Sequence, residues 1–272
     1  MLMQRVLTAL VLLPLVLCLI WFAPTLWLYA ALSVVGLLIA WEWAGLSKAL
    51  TPQRPRLIYV AITALILALV WWMPVRFRDG LYWAAAGWWI AAIALLPGFP
   101  DNLQRRPLSS ALMAVVGWLL IASTLIGIAA LHAMPDGVLR VIFLLFLIFA
   151  ADTGAYLAGR NFGKHKLAPN VSPGKTLEGA IGGLLLCAIW AVIGGAAIFG
   201  AVGESLLQLV LLSLVVAVLS IVGDLTESMF KRVAGLKDSG TILPGHGGIL
   251  DRVDSLLAAT PVMVLGLQLL KL

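Results

Sequence analysis

The stretch KDSGTILPGHGGILDRVD (237–254) sets Lys237, Asp238, His246, Asp251, Arg252 and Asp254 among glycines, between two long apolar runs. Just upstream, GDLTESMFKR carries Asp224, Glu227, Ser228 and Lys231 at i, i+3, i+4 and i+7, with Arg232 four after Ser228. On a continuous helix those positions share one face. Asp251 and Asp254 are again three apart and share a face at the start of the last apolar run. Carboxylates gathered with Lys and Arg can hold Mg²⁺ and phosphates, because Mg²⁺ takes oxygen ligands and the cations neutralise phosphate charge. The run Pro244 to Gly248 has little side-chain bulk, so Gly247 and Gly248 are expected to bring backbone N–H groups close to a phosphate.

Plainer roles compete with these. Acids at a helix start suit its dipole, a solvated face accounts for Glu227, Lys231 and Arg232, and glycines make tight turns. A lone loop histidine is usually just solvated. Asp224 resists such a role, because the residues before it are almost wholly apolar and a carboxylate at mid-bilayer costs about 2.5–3.5 kcal/mol. Asp152, in FAADTGAYLAGR, raises the same question. Its Asp-Thr-Gly interrupts the helical pattern, and a polar interhelical contact and a cavity role are equally open. Glu42, between Trp41 and Trp43, is expected to snorkel to the interface. The loop 159–179 contains PGKT, which looks like the end of a P-loop, but the glycine a P-loop needs is replaced by Pro169 and no strand is expected before it, which excludes that class. What remains is a basic loop with Lys164, Lys166 and Lys175. Thr176 or Ser172 is placed to cap the following helix, with Glu178 in its first turn.

The elements that must position these residues are membrane spans. The chain has 272 residues, 62% hydrophobic and 11% charged, with a mean hydropathy of +1.08. Soluble domains carry about 25% charged residues, so a soluble core is excluded. Apolar windows predict an all-α polytopic protein with nine spans: 6–23, 26–46, 57–75, 80–97, 110–133, 139–158, 177–200, 205–224 and 255–271. The first is read as retained rather than as a signal peptide. With the N-terminus inside, only Arg76, Arg78, Arg140 and Lys271 of the 18 Lys and Arg fall outside. The positive-inside rule therefore supports a cytoplasmic N-terminus. The net charge of +6 is scattered over short loops, which argues against nucleic-acid binding and fits anionic lipid headgroups. Cys18 and Cys187 lie far apart in apolar runs and imply neither disulfide nor zinc.

The segment SMFKRVAGLKDSGTILPGHGGILDRVD (228–254) closely resembles the signature of phosphatidate cytidylyltransferases, also called CDP-diacylglycerol synthases. That signature runs Ser, Lys-Arg, Lys-Asp, Pro-Gly-His-Gly-Gly, then Asp-Arg-x-Asp. It is filled by Ser228, Lys231-Arg232, Lys237-Asp238, Pro244 to Gly248, Asp251-Arg252 and Asp254. DTGAYLAGRNFGKHKL and SPGKTLEGAIGG also look like family segments, except that Gly174 stands where a basic residue is expected. The resemblance thus divides the chain into a span-rich part, 1–140, onto which no function is carried, and a catalytic part, 141–272.

The resemblance implies a Mg²⁺-dependent reaction of CTP with phosphatidic acid, giving CDP-diacylglycerol and pyrophosphate. It also implies metal ligation by Asp224 and Asp251, a second cation and a homodimer. With that chemistry, Lys231, Arg232, Lys237 and Arg252 are expected to hold phosphates, and Asp238 and Asp254 to orient those cations. Ser228, Lys175 and Asp152 are expected to line the substrate site. His246 is expected to position phosphate rather than act as a base. The expected location is a bacterial inner membrane, with the site facing the cytoplasm. A transporter would show inverted repeats, which are not evident. The D-x-x-D-G-x-x-A-R pattern of CDP-alcohol phosphotransferases is absent. A CTP-dependent lipid kinase stays open.

Overall fold

A computed structural model describes residues 2–272 apart from Pro244 and His246, with side chains from Leu10 onward. His246, expected to contact phosphate, therefore lies outside the described residues. The chain folds as helices α1 (Leu2–Phe22), α2 (Thr25–Gly45), α3 (Gln53–Trp72), α4 (Val75–Leu95), α5 (Ser110–His132) and α6 (Gly137–Phe162). A two-stranded antiparallel hairpin follows, β1 (Lys166–Ala168) and β2 (Ser172–Thr176), then α7 (Leu177–Phe199), α8 (Gly203–Ala234) and α9 (Leu250–Leu270). Among the described residues, eight helices, α2 to α9, are long and apolar enough to cross a membrane. Of the first expected span, the apolar part Leu10–Phe22 is described. The protein is a multi-pass integral membrane protein.

Burial separates the helices. In α5 and α9, 72% and 67% of the apolar window is buried, against 22% in α3 and α4. With lipid as solvent, apolar composition does not tell inside from outside, so shape decides. α5 and α9 form the centre. The other helices expose residues such as Ile58, Leu69, Ile90 and Leu185 to acyl chains.

Four expectations change. The polar Asp152-Thr153-Gly154 does not break α6, which continues to Phe162. Gly154 is there for packing: a Cβ on it would lie 2.5 Å from the Gly182 carbonyl oxygen of α7, and one on Gly183 would lie 2.7 Å from that of Ala151. Such small-residue seams let membrane helices approach closely. The expected span 205–224 continues through ten more residues, giving α8 32 residues. At about 1.5 Å per residue that helix is longer than the ~30 Å hydrocarbon core, so the polar end from Asp224 onward extends past the apolar part. The last helix begins at Leu250 rather than 255, which places Asp251 and Asp254 in its first turns. The loop 159–179 contains the β1–β2 hairpin. There Thr176, rather than Ser172, caps α7 by accepting from the Gly179 N–H at 3.1 Å.

The Arg76/Arg78 pair, which breaks the charge bias, is partly explained. The Arg78 guanidinium donates to the carbonyls of Trp71 (2.5 Å) and Met73 (2.9 Å) at the end of α3. A cation suits a helix C-terminus.

The α6–α7 seam gives a direct test. Gly183→Val adds bulk against α6 backbone, and overpacking of this kind typically costs about 1–3 kcal/mol. The variant is expected to unfold at a clearly lower temperature in detergent than the parent protein, as read by thermal denaturation.

Candidate active site

The polar end of α8, the loop after it, the first turns of α9 and the β1–β2 hairpin converge. Two cavities meet there, sharing Asp152, Asp224 and Ser255 as walls. One, of about 390 Å³, takes its charged lining from Asp152, Asp224, Lys231, Asp238, Asp251, Arg252 and Asp254. The other, of about 330 Å³, combines Lys175, Arg160 and Tyr156 with small and apolar residues such as Ala151, Ala155, Leu167 and Ile221. Asp224 stands at their junction. It is paired with Lys175 of β2 at 2.5 Å and accepts a long 3.4 Å bond from the Ser228 hydroxyl.

Lys231 is buried, with its ammonium 2.5 Å from Glu227 and 2.7 Å from Asp251. Neither Glu227 nor Lys231 is on a solvated face, as the spacing allowed. Glu227 is 3% exposed, and among the described residues its carboxylate is compensated by the Lys231 ion pair and accepts no hydrogen bond from another side chain or backbone group. A buried charge persists only when paired, so α8 and α9 are tied by a carboxylate–ammonium–carboxylate chain.

Asp251 is held from the loop side as well. Its carboxylate accepts from the Ser239 N–H at 3.0 and 3.2 Å and from the Gly248 N–H at 2.8 Å. The Gly248 N–H, expected to face phosphate, is thus directed at Asp251. Gly247 adopts a positive φ of 83°, and a Cβ there would lie 2.8 Å from Asp251 Oδ2. These glycines let backbone close around carboxylates.

Arg232 donates to the carbonyls of Val171 (3.4 Å) and Leu236 (3.2 Å), linking α8 to the hairpin turn and the signature loop. Lys237 is exposed and lines neither cavity. Asp254 is buried, accepting from the Ser255 N–H at 2.6 Å. Its backbone packs closely on Gly223, where a Cβ would lie 2.8 Å from the Asp254 carbonyl oxygen. Glu178 accepts from the Lys164 and His165 N–H groups and from the His165 ring at 2.6 Å, closing the base of the hairpin that carries Lys175.

Sequence reasoning missed Glu42. It does not snorkel: it is 1% exposed. It accepts from the Ser239 hydroxyl (3.1 Å) and from the N–H groups of Ile249 (3.1 Å) and Leu250 (2.7 Å). The one available signal was a carboxylate inside an apolar run, where its cost demands partners.

The donor set suits a hard cation, since carboxylate oxygens dominate the polar lining of the larger cavity. Among the described residues no three acidic, histidine or cysteine side chains converge enough to hold a metal by themselves. Mg²⁺ needs only one or two carboxylates, with water and phosphate completing its shell, and Asp224 and Asp251 can supply those.

The family model described as "Cytidylyltransferase family" matches residues 3–270. A protein named phosphatidate cytidylyltransferase from Haemophilus influenzae is 35% identical over 286 residues, covering 96% of each chain. One of the same name from Pseudomonas aeruginosa is 40% identical over 268 residues, covering 96% of this chain and 95% of its own. The family match thus takes in residues 3–140, where the sequence alone showed only spans. A full-length family match, the ordered signature and a charged cavity at its centre lead to one conclusion: the chain belongs to the cytidylyltransferase family.

Proposed function

We propose that the chain transfers the cytidylyl group of CTP to phosphatidic acid, giving CDP-diacylglycerol and pyrophosphate. The observation that carries this reading is the junction at Asp224. There a cavity rich in charge adjoins one with a largely apolar wall and its own lysine. A soluble polyanion suits the first, and a phosphate borne on a lipid suits the second.

In the reaction, a phosphate oxygen of phosphatidic acid attacks the α-phosphorus of CTP. The new P–O bond forms as the bond between the α-phosphorus and its bridging oxygen to the β-phosphate breaks, and pyrophosphate leaves with that electron pair. A phosphate monoester has a second pKa of about 6 and is largely dianionic at neutral pH, so no strong base is required. The barrier lies in bringing polyanions together, which favours alignment and charge stabilisation. Lys175, Lys231 and Arg252 supply positive charge around the junction. Asp251, fixed by three donors, and Asp224 would hold Mg²⁺. That ion, when bound, would neutralise charge on the phosphoryl oxygens. Asp238 and Asp254 keep the cations oriented, and Ser228 steadies Asp224. His246, in the signature loop, is assigned to positioning phosphate. Arg232 and Lys237 act by shaping and charging the loop. A second cation and a homodimer belong to the same proposal.

Placement in a bacterial inner membrane, with the junction facing the cytoplasm, follows the charge bias and gives the site access to both soluble CTP and lipid. Purified protein in detergent is expected to release pyrophosphate only when CTP, phosphatidic acid and Mg²⁺ are all supplied. Release of CDP instead would mark a lipid kinase and overturn the proposal.

A further inference from the structure

We infer that Glu42 is a positioning residue for the reaction, acting through the signature loop and Asp251 from the opposite half of the chain. Glu42 and Asp251 grip the same backbone from two sides. Ser239 gives its N–H to Asp251 and its hydroxyl to Glu42. At the other end of the loop, Gly248 gives its N–H to Asp251, while Ile249 and Leu250 give theirs to Glu42. The two carboxylates therefore fix both ends of the loop that carries Asp238.

The approach is close enough to dictate sequence. A Cβ on Gly248 would lie 2.5 Å from Glu42 Oε2, and one on Gly240 would meet the carboxylate of Glu42, with Cδ at 2.8 Å. The residues flanking Glu42 are held by α3, α5 and α8. The Trp41 carbonyl accepts from Arg56 of α3 at 2.7 Å, with the guanidinium 4.1 Å over the Trp41 ring. The Trp43 indole N–H donates to the Met113 carbonyl of α5 at 2.8 Å, and its ring packs edge-on to Phe230 of α8.

Glu42 satisfies N–H groups at the start of α9 that would otherwise be orphaned. Without it, of the two carboxylates only Asp251 still holds this backbone, through Ser239 and Gly248. Asp251 would then be drawn from Lys231 and from the cavity. The N-terminal helices thus hold the acid that keeps a catalytic carboxylate in place.

The test compares the parent protein with Glu42→Gln, which keeps the shape but sets an NH₂ against hydrogen-bond donors, and with the milder Ser239→Ala. In Glu42→Gln, kcat is expected to fall about ten- to a hundred-fold, with a higher Mg²⁺ concentration for half-maximal rate. KM for phosphatidic acid stays within about two-fold, because that cavity is untouched. In metal-free protein without substrate, amide exchange of the 237–250 segment is expected to speed up about ten-fold or more. Ser239→Ala shifts both readouts the same way by less, and it carries the test should Glu42→Gln fail to fold. The kinetic half rests on cytidylyl transfer being the reaction, whereas the exchange half does not. Unchanged exchange and unchanged Mg²⁺ dependence, or activity lost only in proportion to unfolded protein, would overturn the inference.

Discussion

Asp251→Asn is expected to lower kcat by about a thousand-fold, the scale of losing a preorganised charge at a phosphoryl centre. Asp251 accepts from Lys231, Ser239 and Gly248 together. Asparagine keeps one acceptor oxygen and turns an NH₂ toward donors that the carboxylate had satisfied. Of its two carboxylate partners among the described residues Lys231 keeps Glu227, and the loop end loosens. Asp224→Asn is expected to lose activity to a similar degree for a different reason. Asp224 is one-third exposed in its cavity and paired with a Lys175 of similar exposure. Its removal therefore disturbs packing little, and the unfolding temperature stays close to that of the parent. Steady-state kinetics with thermal denaturation separates the two. Near-normal rates in both variants would remove Asp224 and Asp251 from the reaction.

Lys231→Met is expected to abolish turnover and also to destabilise the protein by about 3–5 kcal/mol, the usual cost of stripping the partner from a buried charge. Glu227 is the reason, because it is buried and Lys231 is its one ion-pair partner among the described residues. Adding Glu227→Gln removes the stranded charge. The double variant should recover most of the lost stability and none of the activity. A double-mutant cycle on unfolding midpoints reads the coupling. Equal stability of the single and double variants would mean that the buried pair is not what joins α8 to α9.

The site was legible where it is local. Asp224, Ser228 and Lys231 follow from helical spacing, and α8 carries them on one continuous helix. The signature loop announced itself by charge and glycine content. Glu42 was not legible, because its partners lie 197 to 208 residues away and nothing in its own window names them. The loop glycines invited a phosphate explanation, whereas Gly240 and Gly248 make room for Glu42. Gly154 looked like a helix break because flexibility and close packing ask for the same residue. The β1–β2 hairpin escaped because strands of three and five residues are too short to show alternation. Which helices form the centre was hidden too, since apolar residues serve lipid and core alike.

The junction at Asp224 and Asp251 is expected to move a cytidylyl group onto a lipid phosphate. Its most direct test supplies CTP radiolabelled at either the α- or the γ-phosphate to purified protein with phosphatidic acid and Mg²⁺. The α-label is expected in the lipid fraction and the γ-label in pyrophosphate. Transfer of the γ-label to lipid, or no lipid labelling from either, would contradict the account.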